Sequence, residues 1–371
     1  MIEYIKIEGY KSMKSMELKL RPINVFIGSN GSGKSNFISF FKMVHAIYNK
    51  QLQRFVMEEK TDNLLYFGRK RTEELYGKMI FTEETNTNNA YWFQLAQTKE
   101  GGLFIETEAA GYMIDKYDDK TNYYFSHNLI ESRVQKSEER AKGNRYEYLQ
   151  NYLSNLQTYH FHDTSATSML RRECDINDND FLKTDGRNLP AFLYQFQQEH
   201  PKKYNRFVKT VQTVAPYIHE FILKPQKQAN NDTEVALRWV DKGDLDSNFS
   251  AYHLSDGTLR FIALATVLMQ PTPPAVIIID EPELGLHPQA ISKLAGLIEA
   301  ASTKTQVIIS TQSVNLVDCF KPEDIVTVDR SENQSIFHRL DSEHLANWLD
   351  EFSLGDLWQR NIINSAQPFT K

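Results

Sequence analysis

An α/β fold on a mixed sheet is what this sequence predicts, and three observations carry the prediction. The apolar run Ile23-Asn24-Val25-Phe26-Ile27 enters a glycine-rich loop. The chain leaves that loop with apolar residues at Phe37, Phe40, Phe41, Val44 and Tyr48, one face of a helix. A second run, Ala275-Val276-Ile277-Ile278-Ile279, is apolar throughout, as a central parallel strand covered on both faces must be, and it ends in Asp280-Glu281-Pro282. Around it, from 252 to 313, the order is turn, helix, proline break at Pro271, Pro273 and Pro274, strand, loop, helix, strand.

The elements follow in chain order. Residues 1–27 read as strands, with further strands near Lys78–Thr82, Tyr91–Ala96 and Leu103–Thr107 between the polar turns Asn86–Asn89 and Gly101-Gly102. Residues 1–110 thus form an antiparallel N-terminal lobe that carries the loop. The polar, charged stretch from 110 to 157 is predicted helical, and 110–245 is expected to be a mostly helical insertion or lid. Thr158–Asp163 reads as a strand, Asn188 as the cap of the next helix, and 190–215 as helices. The remainder, 246–371, is the C-terminal lobe; its last helix carries Leu345, Trp348, Leu349 and Phe352 behind Ser342. The whole, 1–371, is expected to be one discontinuous domain.

Composition narrows the class. A chain of 371 residues, 41% hydrophobic and 24% charged, has material for a large core and reads as a soluble globular protein. Its net charge of −6 argues against coating nucleic acid through bulk charge while leaving a local basic groove open. The clusters Arg69-Lys70-Arg71, Arg171-Arg172 and Lys202-Lys203 read as solvated surface. Two lone cysteines, Cys174 and Cys319, exclude a disulfide scaffold and suit a reducing cytosol. The N-terminus alternates like a strand, without the apolar block of a signal peptide. Phe261–Met269 is about half the length that spans a bilayer, so the expected location is cytoplasmic, with no membrane partner.

Gly28-Ser29-Asn30-Gly31-Ser32-Gly33-Lys34-Ser35 matches G-x-x-x-x-G-K-[ST]. Glycines let the backbone curl so that successive N–H groups converge on a phosphate; Lys34 reaches the β/γ oxygens and Ser35 ligates magnesium. The bland alternative is a Gly/Ser-rich turn, and the strand before and helix after it argue otherwise. Two carboxylates behind a buried strand can divide their work: Asp280 holds the magnesium through water, and Glu281 takes a proton from the attacking water. Leu254-Ser255-Asp256-Gly257-Thr258-Leu259-Arg260 opens another helix, which is either an ordinary capped helix or a second anion site. His160-Phe161-His162-Asp163 offers alternating histidines, read as surface residues of a strand because no further ligands follow at a telling spacing.

Phosphate loop, Leu-Ser-x-Gly and Ile-Ile-Ile-Asp-Glu-Pro, in that order, resemble the ATP-binding-cassette (ABC) class of ATPases. Within it, the chain is similar to the RecF-like ATPases related to structural-maintenance-of-chromosomes (SMC) heads and overcoming-lysogenization-defect proteins. Ile7-Glu8-Gly9-Tyr10-Lys11-Ser12 resembles the family's N-terminal strand, and Asp280 to Pro288 its Walker B and dimer-loop segment. The resemblance implies a P-loop NTPase of ABC-head type with a helical lobe, and a magnesium-dependent ATPase. Asn30, Gly31, Ser32, Gly33, Lys34, Ser35 and Asn36 would bind the nucleotide, with Lys11 and Ser12 on the adenine side and magnesium on Ser35 and Asp280. Catalysis would fall to Glu281, Lys34 and Gln312. Ser255, Asp256 and Gly257 would complete the site of a second copy, with His287 in the dimer loop, in a homodimer or higher homo-oligomer. Gln312 stands where most relatives carry a switch histidine; it cannot become cationic, so slower hydrolysis is expected.

The resemblance has edges. About 220 residues without sustained heptads separate Lys34 from Ser255, too few for a long coiled coil. The roughly 40 residues after Asp329 lead to the expectation that the relatives' nuclease domain is absent. The implied role is the sensor or regulator ATPase of a bacterial antiphage complex, acting through an effector partner such as a nuclease or toxin. The alternative is a DNA-binding RecF-like repair or recombination clamp.

Overall fold

A computed structural model describes residues 1–82, 88–113, 121–135, 149, 151–229 and 231–363, in two units: 1–156 with 305–371, and 157–304. In unit 1 the strands are β1 (Ile2–Tyr10), β2 (Met13–Lys19), β3 (Ile23–Ile27), β4 (Glu74–Thr82), β5 (Asn88–Gln97), β6 (Leu103–Met113) and β7 (Thr121–Leu129). All but β3 form one antiparallel sheet in the order β2-β1-β4-β5-β6-β7. Alternation sets its faces: in β2, Met13, Met16 and Leu18 are buried while Lys14, Ser15 and Glu17 are exposed.

β3 belongs to a second sheet and is buried at all five positions. Its neighbours, Gln306–Thr311 and Ile325–Ser331, both run parallel to it, and Gln334–Arg339 returns antiparallel on the outer side. The helix α1 (Lys34–Tyr48) touches both sheets through aromatic rings: Phe37 lies 4.4 Å from Phe26 of β3, and Phe40 stacks at 5.9 Å on Phe93 of β5. Such ring pairs add to the area term of a buried face.

Part of the helical expectation over 110–157 is overturned. Thr121–Leu129 is a strand paired with β6, where the polar reading missed the run Tyr123-Tyr124-Phe125, residues that favour a pleated surface. Helix is described at 149 and 151–153, whereas 114–120, 136–148 and 150 lie outside the described residues.

Where unit 2 begins, the strand Leu156–Tyr159 ends short of the expected stretch Thr158–Asp163 and neighbours Val276–Asp280. Two helices fill the span expected of them: α2 (Leu189–Glu199) and α3 (Pro201–Val214), each with proline in its first turn, where the missing N–H costs nothing. Asn188 holds the N-cap position of α2, as expected, but its side chain makes no cap bond. Its buried side chain accepts from Lys183 N and donates to Asp178 O and Phe181 O, three loop partners that satisfy the amide more fully than one cap bond. The strands Ile218–Ile222, Arg238–Asp241 and Asp244–Ser250 form a meander, and α4 (Asp256–Met269) is buried from Thr258 to Leu268. The strand Val276–Asp280 and α5 (Pro288–Ser302) complete the unit. At the far end of unit 1, the helix Ser342–Leu349 starts one residue earlier than expected: Asp341 caps it, and Phe352 falls beyond its end. No helix among the described residues is long and apolar enough to cross a membrane.

Candidate nucleotide site

In unit 1 the phosphate loop bridges β3 and α1. Gly33 sits at φ 119, and a Cβ there would lie 2.1 Å from Ser335 Oγ and 2.8 Å from Ser12 Oγ, so only glycine fits. Those two hydroxyls form a knot beneath the loop. Ser335 Oγ donates its one proton to Ser32 O at 2.5 Å and lies 2.7 Å from Ser12 Oγ, whose hydroxyl can donate back to it, and Asn36 Nδ2 donates to Ser12 Oγ at 2.8 Å. Lys34 is 5% exposed and curls over its own loop, donating to Gly28 O at 2.6 Å and Ser29 O at 3.0 Å. The Ser32 hydroxyl is buried with no partner. Asn30, Gly31 and Ser35 are exposed. A buried cation, an orphaned hydroxyl, open backbone and the N-terminus of a 15-residue helix fit an oxyanion chain such as a triphosphate.

A cavity of about 400 Å³ adjoins the knot, lined among others by Lys11, Ser12, Asn36, Tyr66, Arg330 and Asn333. Lys11 has φ 47 and pairs with Glu59 at 2.9 Å. Tyr66, Arg330, Asn333 and Ser335 were invisible to motif reading because they lie far from the loop in sequence. Gln312 follows Thr311, which is registered against Ile27, so the exposed glutamine stands at the strand ends beside Gly28.

Unit 2 carries the carboxylates and residues 254–260, the stretch with the Leu-Ser-x-Gly motif, called the signature segment. Asp280 ends its strand half-buried, and His162 Nε2 lies 2.9 Å from its carbonyl oxygen. Glu281 takes φ 45, a left-handed conformation that costs an ordinary residue roughly 1–3 kcal/mol and recurs at working sites. Ser255 caps α4, accepting from Thr258 N at 3.2 Å. A Cβ on Gly257 would stand 2.5 Å from Gly285 O, so the start of α4 is pressed against the loop that follows Asp280. Arg260 ties the same loop down, donating to Leu284 O, to Phe161 O at 2.7 Å and to His162 O at 2.7 Å. Burial lowers the pKa of this guanidinium, and Asp256 opposes the shift. His287 is exposed and caps α5.

Arg171 corrects the surface reading of Arg171-Arg172. It is 8% exposed, donates to Thr164 O, Ala251 O and Leu254 O, and pairs with Asp256 at 2.7 Å. Both arginines act on the signature segment from a distance in sequence or through backbone carbonyls, which no motif encodes.

Residues 23–318 match the family described as "AAA domain, putative AbiEii toxin, Type IV TA system". The chain belongs to that family. Over 107 residues this AAA-domain protein is 34% identical to the energy-coupling factor transporter ATP-binding protein EcfA of Methanocaldococcus jannaschii. The match takes in 28% of the chain and only 37% of that relative's length. Among solved structures it is similar to an Smc head bound to the C-winged helix domain of ScpA, with TM-score 0.59, 16% identity, and 93% and 99% of the two chains covered. A second likeness is an Smc head with an extended coiled coil bound to the C-terminal domain of ScpA derived from Pyrococcus furiosus. There the TM-score is 0.59 at 14% identity, over 94% and 98%. These likenesses establish the fold, an α/β P-loop head of ABC type, on an AAA-domain chain.

Proposed function

We propose that the chain, read as one discontinuous head over 1–371, works as a head-to-tail pair with two ATP molecules held between the copies. The phosphate loop of one copy meets Ser255, Asp256 and Gly257 of the other. The observation that carries this reading is the Arg171–Asp256 pair. A carboxylate in the first turn of α4 would repel an incoming phosphate, and the buried guanidinium neutralises it and holds it aside, so the helix end can receive an anion.

Asn30 to Asn36 cradle the phosphates, with Lys34 turning from its loop carbonyls to the β/γ oxygens. Lys11 and Ser12 stand at the cavity that would take the base. Ser35 and Asp280 would hold Mg2+, which supplies charge neutralisation when bound. Glu281 accepts a proton from the attacking water, Gln312 donates a neutral hydrogen bond toward the γ-phosphate, and His287 belongs to the paired surface. The family's description names a toxin and a toxin–antitoxin system. It supports a role as the sensor or regulator ATPase of an antiphage complex, acting through an effector partner.

Complementation tests the pairing. Lys34→Ala and Ser255→Arg chains should each be inactive and, once mixed, regain part of the ATPase activity through one intact composite site. No regain in a mixture shown to contain heterodimers would overturn the shared site, or require both sites to fire together.

A further inference from the structure

Unit 2 has a second concave feature, at the opposite end of α4 from Ser255. It is a pocket of about 500 Å³ between α3 and the C-terminal ends of α4 and α5. Four cations stand around it: Lys203, Arg206 and Lys209, spaced i, i+3, i+6 along one face of α3, and Lys304 just beyond α5. All four are exposed, no carboxylate lines the pocket, and among the described residues none of the four side chains has a salt-bridge or hydrogen-bond partner. The floor is apolar, made by Leu268, Met269, Pro273 and Leu297.

Like charges gathered without counter-ions repel one another, so an isolated chain gains nothing from this arrangement. The C-terminal ends of α4 and α5 carry partial negative charge that favours nearby cations, which accounts for Lys304. It does not account for three more cations on a different helix. A phosphate polymer would use the cations but not the floor, because its backbone presents no apolar group to bury. An acidic, amphipathic segment uses both: carboxylates meet the rim, and one or two large side chains enter the pocket.

We infer that this pocket is a docking site for an acidic amphipathic helix of a partner protein. Lys202-Lys203, a solvated cluster in the sequence, then marks one edge of an interface. The inference rests on the proposed function only for the existence of a partner. It adds where the partner would act: α4 spans 14 residues, roughly 20 Å at 1.5 Å per residue. An occupant would therefore grip one end of the helix whose other end is the signature segment.

The test is a charge swap on the full chain, read by fluorescence anisotropy. One probe is a synthetic helix with Glu on one face and Leu on the other; the second has Lys in place of Glu; the third is a short DNA duplex. The parent chain should bind the Glu–Leu helix. The triple variant Lys203→Glu, Arg206→Glu, Lys209→Glu should bind it at least about tenfold more weakly and should gain the Lys–Leu helix. Leu297→Ser should weaken the Glu–Leu helix without restoring the Lys–Leu one. ATP hydrolysis by the triple variant should match the parent, because these side chains lie outside the proposed site; that readout separates a failed pocket from a failed ATPase. No swap between the two helices would overturn the proposal, leaving a solvated face. Salt-sensitive DNA binding lost in the triple variant, with neither helix bound, would overturn it in favour of a phosphate track.

Discussion

The phosphate loop and the signature segment are both short stretches that open a buried helix, and they keep their shapes by opposite means. The loop is held by steric walls and neutral hydroxyls: Gly33 under Ser335 and Ser12, with the one cation, Lys34, folded onto its own carbonyls. The signature segment is held by two buried guanidinium groups, Arg171 and Arg260, which reach carbonyls on either side of it. A loop held by neutral contacts and by its own cation can lose its ligand and remain formed. A segment positioned by charged groups is sensitive to every change in its supports.

That contrast can be broken at several points. The largest effect belongs to Glu281→Gln, which keeps shape but removes the proton acceptor. Loss of a general base costs about 10²–10⁴-fold in rate, so phosphate release should nearly stop while ATP stays bound. Sizing with ATP and magnesium should then show a paired species; hydrolysis at the parent rate would show that Glu281 is not the base.

Next comes Lys34→Ala. A hydrogen bond to a charged group contributes up to about 3 kcal/mol, which is roughly 100-fold in Kd. Titration calorimetry should show that loss with the fold intact by circular dichroism. Unchanged affinity would remove the loop from the site.

Arg171→Met sharpens the comparison. It strands the carbonyls of Thr164 and Leu254 and leaves Asp256 uncompensated, a cost of about 1–3 kcal/mol at the signature segment. Turnover should fall by about tenfold while ATP affinity of the single chain holds. Equal losses in both would mean that loop and segment are not separately supported. Gly257→Ala should act in the same direction, because its methyl group would meet Gly285 O.

The smallest effect is in unit 1, at Glu108. It is fully buried and accepts from Tyr91, Ser126 and Ser132. Burial raises its pKa above 4.5, outweighing those hydrogen bonds. The folded state therefore binds this proton more tightly than the unfolded chain. The stabilisation is full below pH 4.5 and is lost as pH rises through the folded value. Urea midpoints of Glu108→Gln, measured from pH 4.5 to 7, should lack that decline relative to the parent; parallel curves would refute it.

What could be read from sequence divides along the same line. The phosphate loop, the carboxylate pair and their strands are contiguous, so spacing alone reveals them. Ser335, Arg171 and the carbonyl partners of Arg260 are not, since each becomes a neighbour only after the chain has folded. Arg171 was misread because its adjacent Arg172 makes the pair resemble a charged surface. β7 was missed for a different reason: polar residues on both sides of Tyr123-Tyr124-Phe125 masked an aromatic run that pairing with β6 rewards.

Ser335 has one more consequence. It walls the phosphate loop from the strand Gln334–Arg339, some 300 residues after Gly33 in the order of synthesis. A ribosome that has made the loop, its helix and the whole of unit 2 has still not made the residue that shapes the cradle. Formation of the cradle is thereby deferred until the strand Gln334–Arg339 has emerged, and fragments cut short of it should be translated without acquiring a formed ATP cradle.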